Sequence, residues 1–152
     1  GRGICVRLEA GDRTSLREQE TLIGRDRAEG APLSGGKEFD EPRFDVTGRE
    51  NKPLIAKNSH VFLAHPKNNK GVQMLRRGYN FTDGNDALGR LDAGLFFLAY
   101  VRRPSTQYIP MQMRMSREDA LMEYLQHTGS GLFAIPPGAR DGSYVGQTLL
   151  EG

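Results

Sequence analysis

The sequence predicts an α+β fold in which one antiparallel sheet carries helices on one face. Reading along the chain gives strand, helix, strand, strand, helix and strand, an order typical of such sandwiches. Two capping boxes mark the starts of the two helices, and one long apolar run marks a central strand. The 152 residues are enough for one domain with a core of its own.

The first strand and the first helix follow each other closely. Residues 4–10 (ICVRLEA) alternate moderately in polarity and include two β-branched residues, which favours a strand. Thr14 or Ser15 can then cap a helix, because Glu18 stands three residues after Ser15, as a capping box requires. Gly24 ends this helix.

A long loop and a short strand are predicted for the middle of the chain. Residues 30–58 are rich in Gly, Pro, Asp and Lys and have no sustained period, which indicates a loop. Loops of this length in compact domains are usually functional or disordered. Residues 59–66 (SHVFLAHP) are typical of a short strand that Pro66 stops.

The second half of the chain contains the remaining elements. The apolar run 93–101 predicts a central strand buried on both faces. Residues 105–115 predict an edge or irregular strand, because the proline within them removes a hydrogen-bond donor. Ser116 caps the second helix, with Asp119 completing its capping box, and residues 132–138 predict a last short strand.

Composition and charge exclude several classes of protein. The net charge of +2, from 21 basic and 19 acidic residues, argues against a strongly electrostatic nucleic-acid binder. Cys5 is the single cysteine, so the chain has no intrachain disulfide and no thiolate metal cluster. No run approaches the ~20 apolar residues of a membrane span. Residues 1–13 are typical of a strand entered in mid-course rather than of a signal peptide, so we expect a fragment whose earlier part is missing.

Three histidines are candidates for metal binding or acid–base chemistry. On the strand predicted for residues 59–66, His60 and His65 point to opposite faces, so they do not share one metal ion. Either could be a single axial ligand, or a packed or solvent-facing side chain. His127, near the end of the second predicted helix, has a structural explanation as a favourable charge at a helix C-terminus.

Two consecutive arginines, Arg76 and Arg77, leave two alternatives open. They are either part of a solvated face or, since Met74 and Leu75 precede them, a partly buried pair that binds an anion or a polarisable ligand. The Gly-rich stretches lack the spacing of a phosphate loop. A Ser-His-Asp signature and a convincing pair of carboxylates are absent as well.

Six segments, in their order and spacing, resemble a known family. They are LREQETLIGRDRAEGAPLSG, NSHVFLAHP, MLRRGYNF, LDAGLFFLAY, EYLQHTGSGLFAIPPG and YVGQTLL. Together they resemble the C-terminal half of DyP-type (dye-decolourising) haem peroxidases, in particular the secreted subgroup that includes deferrochelatase-like proteins. The resemblance implies that residues 1–152 are a ferredoxin-like haem-binding domain, one half of a tandem dimeric α+β barrel, with the N-terminal half absent from this chain.

The resemblance also implies a cofactor and a set of site residues. The cofactor is haem b (iron protoporphyrin IX), with His60 as the proximal ligand of its iron. Arg76 matches the catalytic distal arginine, and Glu123 matches the carboxylate that bonds the proximal histidine and raises its basicity. The residues that match the lining of the haem are His65, Pro66, Lys67, Arg76, Phe81 and Phe97.

The function implied by the resemblance is oxidation of bulky dyes and phenols by hydrogen peroxide. The alternative is a haem-binding, iron-releasing protein of deferrochelatase type with little peroxidase turnover, and a third alternative is a folded piece without haem. The implied partners are peroxide, an organic reductant and the N-terminal half of the same protein. A homo-oligomer is compatible with the resemblance. The resemblance implies no nucleic-acid partner and no membrane span, and it implies a periplasmic or extracellular location. The family's distal aspartate, in a Gly-x-x-Asp-Gly motif, has no counterpart in this sequence.

Overall fold

Four strands form one antiparallel sheet in the computed structural model, which describes residues 1–7, 11 and 13–151. The strands are β1 (Arg2–Val6), β2 (Leu75–Asn85), β3 (Leu91–Tyr100) and β4 (Leu125–Ser130). Their order across the sheet is β2-β3-β1-β4, with every neighbouring pair antiparallel. This is the ferredoxin-like arrangement, so the predicted fold class is confirmed. Residues 8–10 of the first predicted strand lie outside the described residues.

The helices lie between the strands and after the last one. They are α1 (Leu16–Ile23), α2 (His60–Ala64), α3 (Tyr108–Glu118) and α4 (Gln147–Leu150), with 3-10 segments at Arg49–Asn51, Pro66–Asn68 and Ala120–Tyr124. Within the described residues, no helix has the length and apolar character that crossing a membrane requires.

Both ends of α1 are where the sequence predicts them. The Ser15 hydroxyl accepts a hydrogen bond from the Glu18 backbone N–H at 3.3 Å. Gly24 ends the helix in the left-handed region, at φ 92°, and donates its N–H to the Glu20 carbonyl. A Cβ on Gly24 would come within 3.1 Å of the Ser59 hydroxyl, so this glycine also permits the close approach of the next helix.

The strand predicted for residues 59–66 is wrong, because the structure has helix α2 there. The fully buried Ser59 caps this helix by accepting from the Phe62 N–H at 3.4 Å. Leu63, four residues after Ser59, is fully buried as well, a spacing that places both side chains on one face of the helix. His65 ends the helix, and the 3-10 turn Pro66–Asn68 follows directly.

The assignments around residues 105–138 are also corrected. Helix α3 occupies most of the stretch predicted as an edge strand, since Pro110 lies in its first turn, where its missing N–H has no partner to lose. Ser116 therefore lies inside a helix instead of capping one. Asp119 does cap, but it caps the 3-10 segment by accepting from the Leu121 N–H at 2.9 Å. Strand β4 follows, and residues 132–138 have no regular structure.

The most buried side chains lie among the helices and the long loop rather than on the sheet. Ile55 and Leu63 are almost completely buried, and Ala31 and Met111 are buried too. Strand β3 is central in the sheet as predicted, but Phe96 on it is 48% exposed. The prediction of burial on both faces therefore does not hold within this chain.

The register defines two faces of the sheet, because residues paired across antiparallel strands point to the same side. We call the side toward α3 the helix face; it carries Arg2, Ile4, Arg76, Gly78, Leu95, Phe97, Ala99 and His127. The opposite side, the outer face, carries Gly3, Cys5, Arg77, Tyr79, Phe81, Phe96, Leu98 and Tyr100.

Candidate functional site

His60, the first residue of α2, is held by a buried carboxylate. Its Nδ1 lies 2.7 Å from Asp119 Oδ2. The Asp119 side chain is fully buried, whereas the His60 side chain is 29% exposed. Because an ionised carboxylate only accepts hydrogen bonds, Nδ1–H is the donor of this contact, and in the neutral imidazole the lone pair then stands on Nε2. A partly exposed imidazole with a free Nε2 lone pair is able to bind a metal ion.

The position of Asp119 is fixed by the backbone around it. Its Oδ1 accepts from the Leu121 N–H, and the Ala120 N–H donates to the Asn58 carbonyl at 3.1 Å, two residues before His60. The bond between Ala120 and Asn58 ties the segment after α3 to the residues before α2. Asp119 thus caps one segment with one oxygen and orients His60 with the other.

The carboxylate predicted for this role, Glu123, is not the one that holds His60 in the structure. Glu123 lies in the 3-10 segment four residues after Asp119. The sequence identified Asp119 only as a capping residue, and capping is one of its two contacts. Its second contact spans 59 residues of sequence, so no local pattern signals it.

We expect Asp119→Ala to release His60 from the Nδ1–H tautomer. A hydrogen bond to a charged group contributes about 1.5–3 kcal/mol, so the variant should also be less stable by about that amount. Imidazole 15N chemical shifts report the tautomer, and thermal unfolding reports the stability. Glu123→Ala is the matched control and should change neither; an unchanged His60 tautomer in Asp119→Ala would contradict the assignment.

His65 is engaged at both ring nitrogens. Its Nδ1 accepts from the Lys67 N–H at 3.2 Å, and its Nε2 lies 3.0 Å from Glu41 Oε2. The Phe44 ring meets it edge-on, with centroids 5.1 Å apart. His65, Pro66 and Lys67, all predicted to line a haem, form a turn held by Glu41, whose Oε2 is also 3.7 Å from Lys67 Nζ. Since both nitrogens of His65 have partners, its ring is not free to act as a ligand in this arrangement.

Arg76 and Phe97 are brought to the same face of the sheet. Arg76 pairs with Ala99 and Gly78 pairs with Phe97, so both predicted residues lie on the helix face. Arg77 lies on the outer face. The register therefore places the two consecutive arginines on opposite faces, and the side chains of both are exposed.

Phe81 is not brought together with Arg76 and Phe97. It pairs with Gly94, which lies on the outer face, and the irregularity in this ladder comes only after Thr82. Leu95 is the apolar residue that the sequence missed on the helix face. A Cβ on Gly78 would lie 2.9 Å from Leu95 Cδ1, so this leucine occupies the space that the glycine leaves open, two residues from Arg76.

A cavity of about 630 Å³ lies between the helix face and α3. Its apolar lining includes Phe97, Ala99, Val101, Ile109, Met113, Met122, Leu125 and Leu132. Its polar lining includes Arg2, Tyr108, Gln112, Ser116, His127 and Ser130. Ser116 and Met122 in this lining stand three residues before and after Asp119 in the sequence, but His60, Arg76 and Asp119 are not among the lining residues.

His127 lies on β4 and lines this cavity, instead of ending a helix as the sequence predicted. Burial lowers the pKa of its imidazole, and the positive charge of Arg2 lowers it further. The uncharged form of His127 is therefore favoured in the folded chain.

The fold and these features define an α+β protein of the ferredoxin-like class with an apolar cavity and a carboxylate-oriented histidine, both of which are common in cofactor sites. A family model described as Dyp-type peroxidase, C-terminal, matches residues 2–140. The chain belongs to this family, as the resemblance implied.

Curated relatives agree with the family model. The chain is 42% identical over 152 residues to a dye-decolorizing peroxidase of Thermobifida fusca, covering 99% of this chain and 35% of that protein. It is 40% identical over 151 residues to a deferrochelatase of Escherichia coli K12, covering 97% of this chain and 35% of that protein. The chain thus spans about a third of the length of these relatives.

Solved structures share the fold. Ferric DtpA from Streptomyces lividans superposes with a TM-score of 0.95 at 41% identity, over 99% of this chain and 42% of that one. A DypB variant of Rhodococcus jostii RHA1 in complex with heme superposes with a TM-score of 0.56 at 20% identity, over 84% of this chain and 37% of that one. The second likeness concerns the fold alone.

Proposed function

We propose that this chain is the haem-binding part of a peroxidase that uses hydrogen peroxide to oxidise bulky organic molecules such as dyes and phenols. The observation that carries the proposal is the 2.7 Å contact of His60 Nδ1 with the buried Asp119, which leaves Nε2 free for iron. Metal-bound histidines in proteins usually donate their other N–H to a carboxylate or carbonyl in this way. The family membership of the chain supports the same assignment.

The residues present fit haem b as the cofactor. The cavity of about 630 Å³ falls within the range of roughly 300–1,000 Å³ found for cofactor pockets. Its lining is mostly apolar, with a few polar groups, as such sites require. His60, which is not itself among the lining residues, would hold the iron, and Phe97, Met113 and Leu125 would contact the porphyrin ring. When bound, haem would supply an iron centre that hydrogen peroxide can oxidise.

The protein contributes charge and shape to this chemistry. Asp119 places a negative charge behind His60 and raises the basicity of its Nε2. Arg76, exposed on the helix face, would provide a fixed positive charge for the negative charge that develops on peroxide. Leu95 and Phe97 on the same face provide apolar surface that excludes water.

We propose that the active protein is longer than this chain. The curated relatives above are about three times as long as the segment they share with it, which supports an N-terminal half that carries the family's distal aspartate. Arginine is always protonated in proteins and does not act as a base, so proton transfer from peroxide needs such a second group. A periplasmic or extracellular location is part of the same proposal and is supported by the resemblance to the secreted subgroup.

A second candidate function is release of iron from haem. The deferrochelatase at 40% identity favours it, since that relative matches this chain nearly as closely as the peroxidase relative at 42% does. In this alternative the same cavity holds haem as a substrate, and peroxide turnover is slow.

The two functions are distinguished in the full-length, haem-loaded protein. With hydrogen peroxide and an anthraquinone dye, we expect many dye molecules to be bleached per haem, while a ferrous chelator detects little iron. One equivalent of iron and of metal-free porphyrin per haem, without sustained bleaching, would support iron release and contradict the peroxidase proposal. Heat-unfolded protein with the same haem content controls for bleaching by free haem.

A further inference from the structure

Arg2 is a cationic side chain at the wall of an apolar cavity. It stands on β1, on the helix face, where its register partners are Phe97 on β3 and Ser130 on β4. All three residues line the cavity between the sheet and α3. The sequence alone assigns no role to Arg2, because nothing in the local pattern distinguishes it from a solvated arginine.

The guanidinium of Arg2 is incompletely satisfied. Its Nη1 donates to the Tyr108 hydroxyl at a long 3.4 Å, and its Nε is buried without a hydrogen-bond partner. The Tyr108 hydroxyl donates in turn to Gln112 Oε1 at 3.2 Å. This relay is neutral beyond Arg2, so it brings no counter-charge to the guanidinium.

The cavity itself also lacks a counter-charge within the described part of the chain. Its lining includes no aspartate or glutamate, and none of the ion pairs among residues 1–7, 11 and 13–151 involves Arg2. Arg2 is half-buried; a charge partly withdrawn from water without a counter-charge is costly, and arginine often occupies such a place to bind an anion. Burial, and after it the charge of Arg2, lowers the pKa of His127 on the same wall, so His127 adds no counter-charge to Arg2.

We propose that Arg2, positioned by Tyr108, recognises the carboxylate of an otherwise apolar ligand in this cavity. The planar fork of a guanidinium matches a carboxylate with two parallel hydrogen bonds, and the unpartnered Nε–H is one of the donors such a pair uses. The surrounding side chains suit an aromatic or macrocyclic body.

Two sources supply this chemistry: a propionate of a porphyrin and the acid group of a small aromatic acid. The first source rests on the haem binding proposed above, whereas the second does not. In either case Arg2 contributes to affinity for the acid and contributes little when the acid is esterified.

The first experimental arm uses the full-length protein freed of haem. Metal-free protoporphyrin IX and its dimethyl ester are titrated by fluorescence into wild type and Arg2→Gln. A charge-assisted hydrogen bond to a carboxylate corresponds to roughly a 10- to 100-fold change in affinity, so we expect Arg2→Gln to lose about that for the diacid. The ester should bind both proteins equally. Arg77→Gln, on the outer face of the same sheet, is the matched control and should behave as wild type.

The second arm distinguishes the two sources. Calorimetry on the same haem-free protein, in which the cavity is open, compares 4-hydroxycinnamate with its methyl ester. Loss of affinity for the porphyrin diacid alone supports the propionate, and loss for hydroxycinnamate alone supports the small aromatic acid. Equal affinities of wild type and Arg2→Gln for both acids would overturn the inference.

Two further measurements keep the inference testable. If Arg2→Gln does not fold, wild type that binds acid and ester equally well still overturns it. Metal-free porphyrin makes no bond to His60 through iron, so its binding is independent of the histidine ligand. A normal Soret band with no acid–ester difference would therefore reject the role of Arg2 and leave the proposed function intact.

Discussion

His60→Ala in the full-length protein is expected to abolish the Soret band of bound haem. The variant removes the imidazole that Asp119 orients, and with it the proposed bond between the haem iron and the protein. Outer-shell partners of metal ligands alone change affinity by roughly 10- to 100-fold, and removal of the ligand should exceed this. Haem content per polypeptide, measured by absorbance after reconstitution and gel filtration, checks the expectation.

His65→Ala is the matched control for this experiment. His65 stands five residues later in the same stretch, but its ring nitrogens are occupied by Glu41 and by the Lys67 N–H. This variant should retain the Soret band and lose some stability of the turn. Free imidazole added to His60→Ala should restore an axial ligand and part of the band. Full haem loading of His60→Ala with an unchanged spectrum would reject His60 as the ligand.

The parts of the fold that the sequence predicts correctly depend on local chemistry. Ser15, Glu18 and Gly24 determine both ends of α1 through contacts within three or four residues. The long apolar run that ends at Val101 predicts a strand by its length and composition, and β3 is found there. The residues that determine such elements lie close together in the sequence, so the elements can be predicted from the sequence of this chain alone.

The errors have physical causes too. Residues 59–66 hold a helix of only five residues, too short for its period to be told from that of a strand. Proline is disfavoured in the centre of a strand but is tolerated in the first turn of a helix, and Pro110 lies in the first turn of α3. In both cases the local pattern permits two structures, and the packing of α2 against α3 selects one.

The site depends on contacts that no window of sequence contains. Asp119 reaches His60 across 59 residues, and the sequence gives it only a capping role. Phe81 and Phe97 look equivalent as apolar residues, but a strand register separates them by face. Arg2 is unremarkable until the cavity around it is known. The resemblance supplied residue identities, and the register decided which of them lie together.

Arg76→Gln in the full-length, haem-loaded protein is expected to lower kcat/KM for hydrogen peroxide by roughly 100- to 1,000-fold, the typical cost of removing one donor from a preorganised site. Arg76 lies on the helix face with Phe97, the face toward the cavity, and its charge does not depend on pH. Glutamine keeps hydrogen-bonding capacity and removes the charge, so the loss measures the electrostatic contribution. Stopped-flow mixing with peroxide, at equal haem content, provides the rate.

Arg77→Gln is the control that the register provides, since the adjacent arginine lies on the outer face. Both residues are exposed in this chain and carry the same charge, so a general effect of net charge on peroxide chemistry would appear in both variants. Arg76→Lys should recover part of the rate, because it restores a positive charge without the planar fork. If Arg77→Gln lost as much activity as Arg76→Gln, the face-specific role of Arg76 would be excluded, and the positive charge would act on peroxide only through the overall field of the protein.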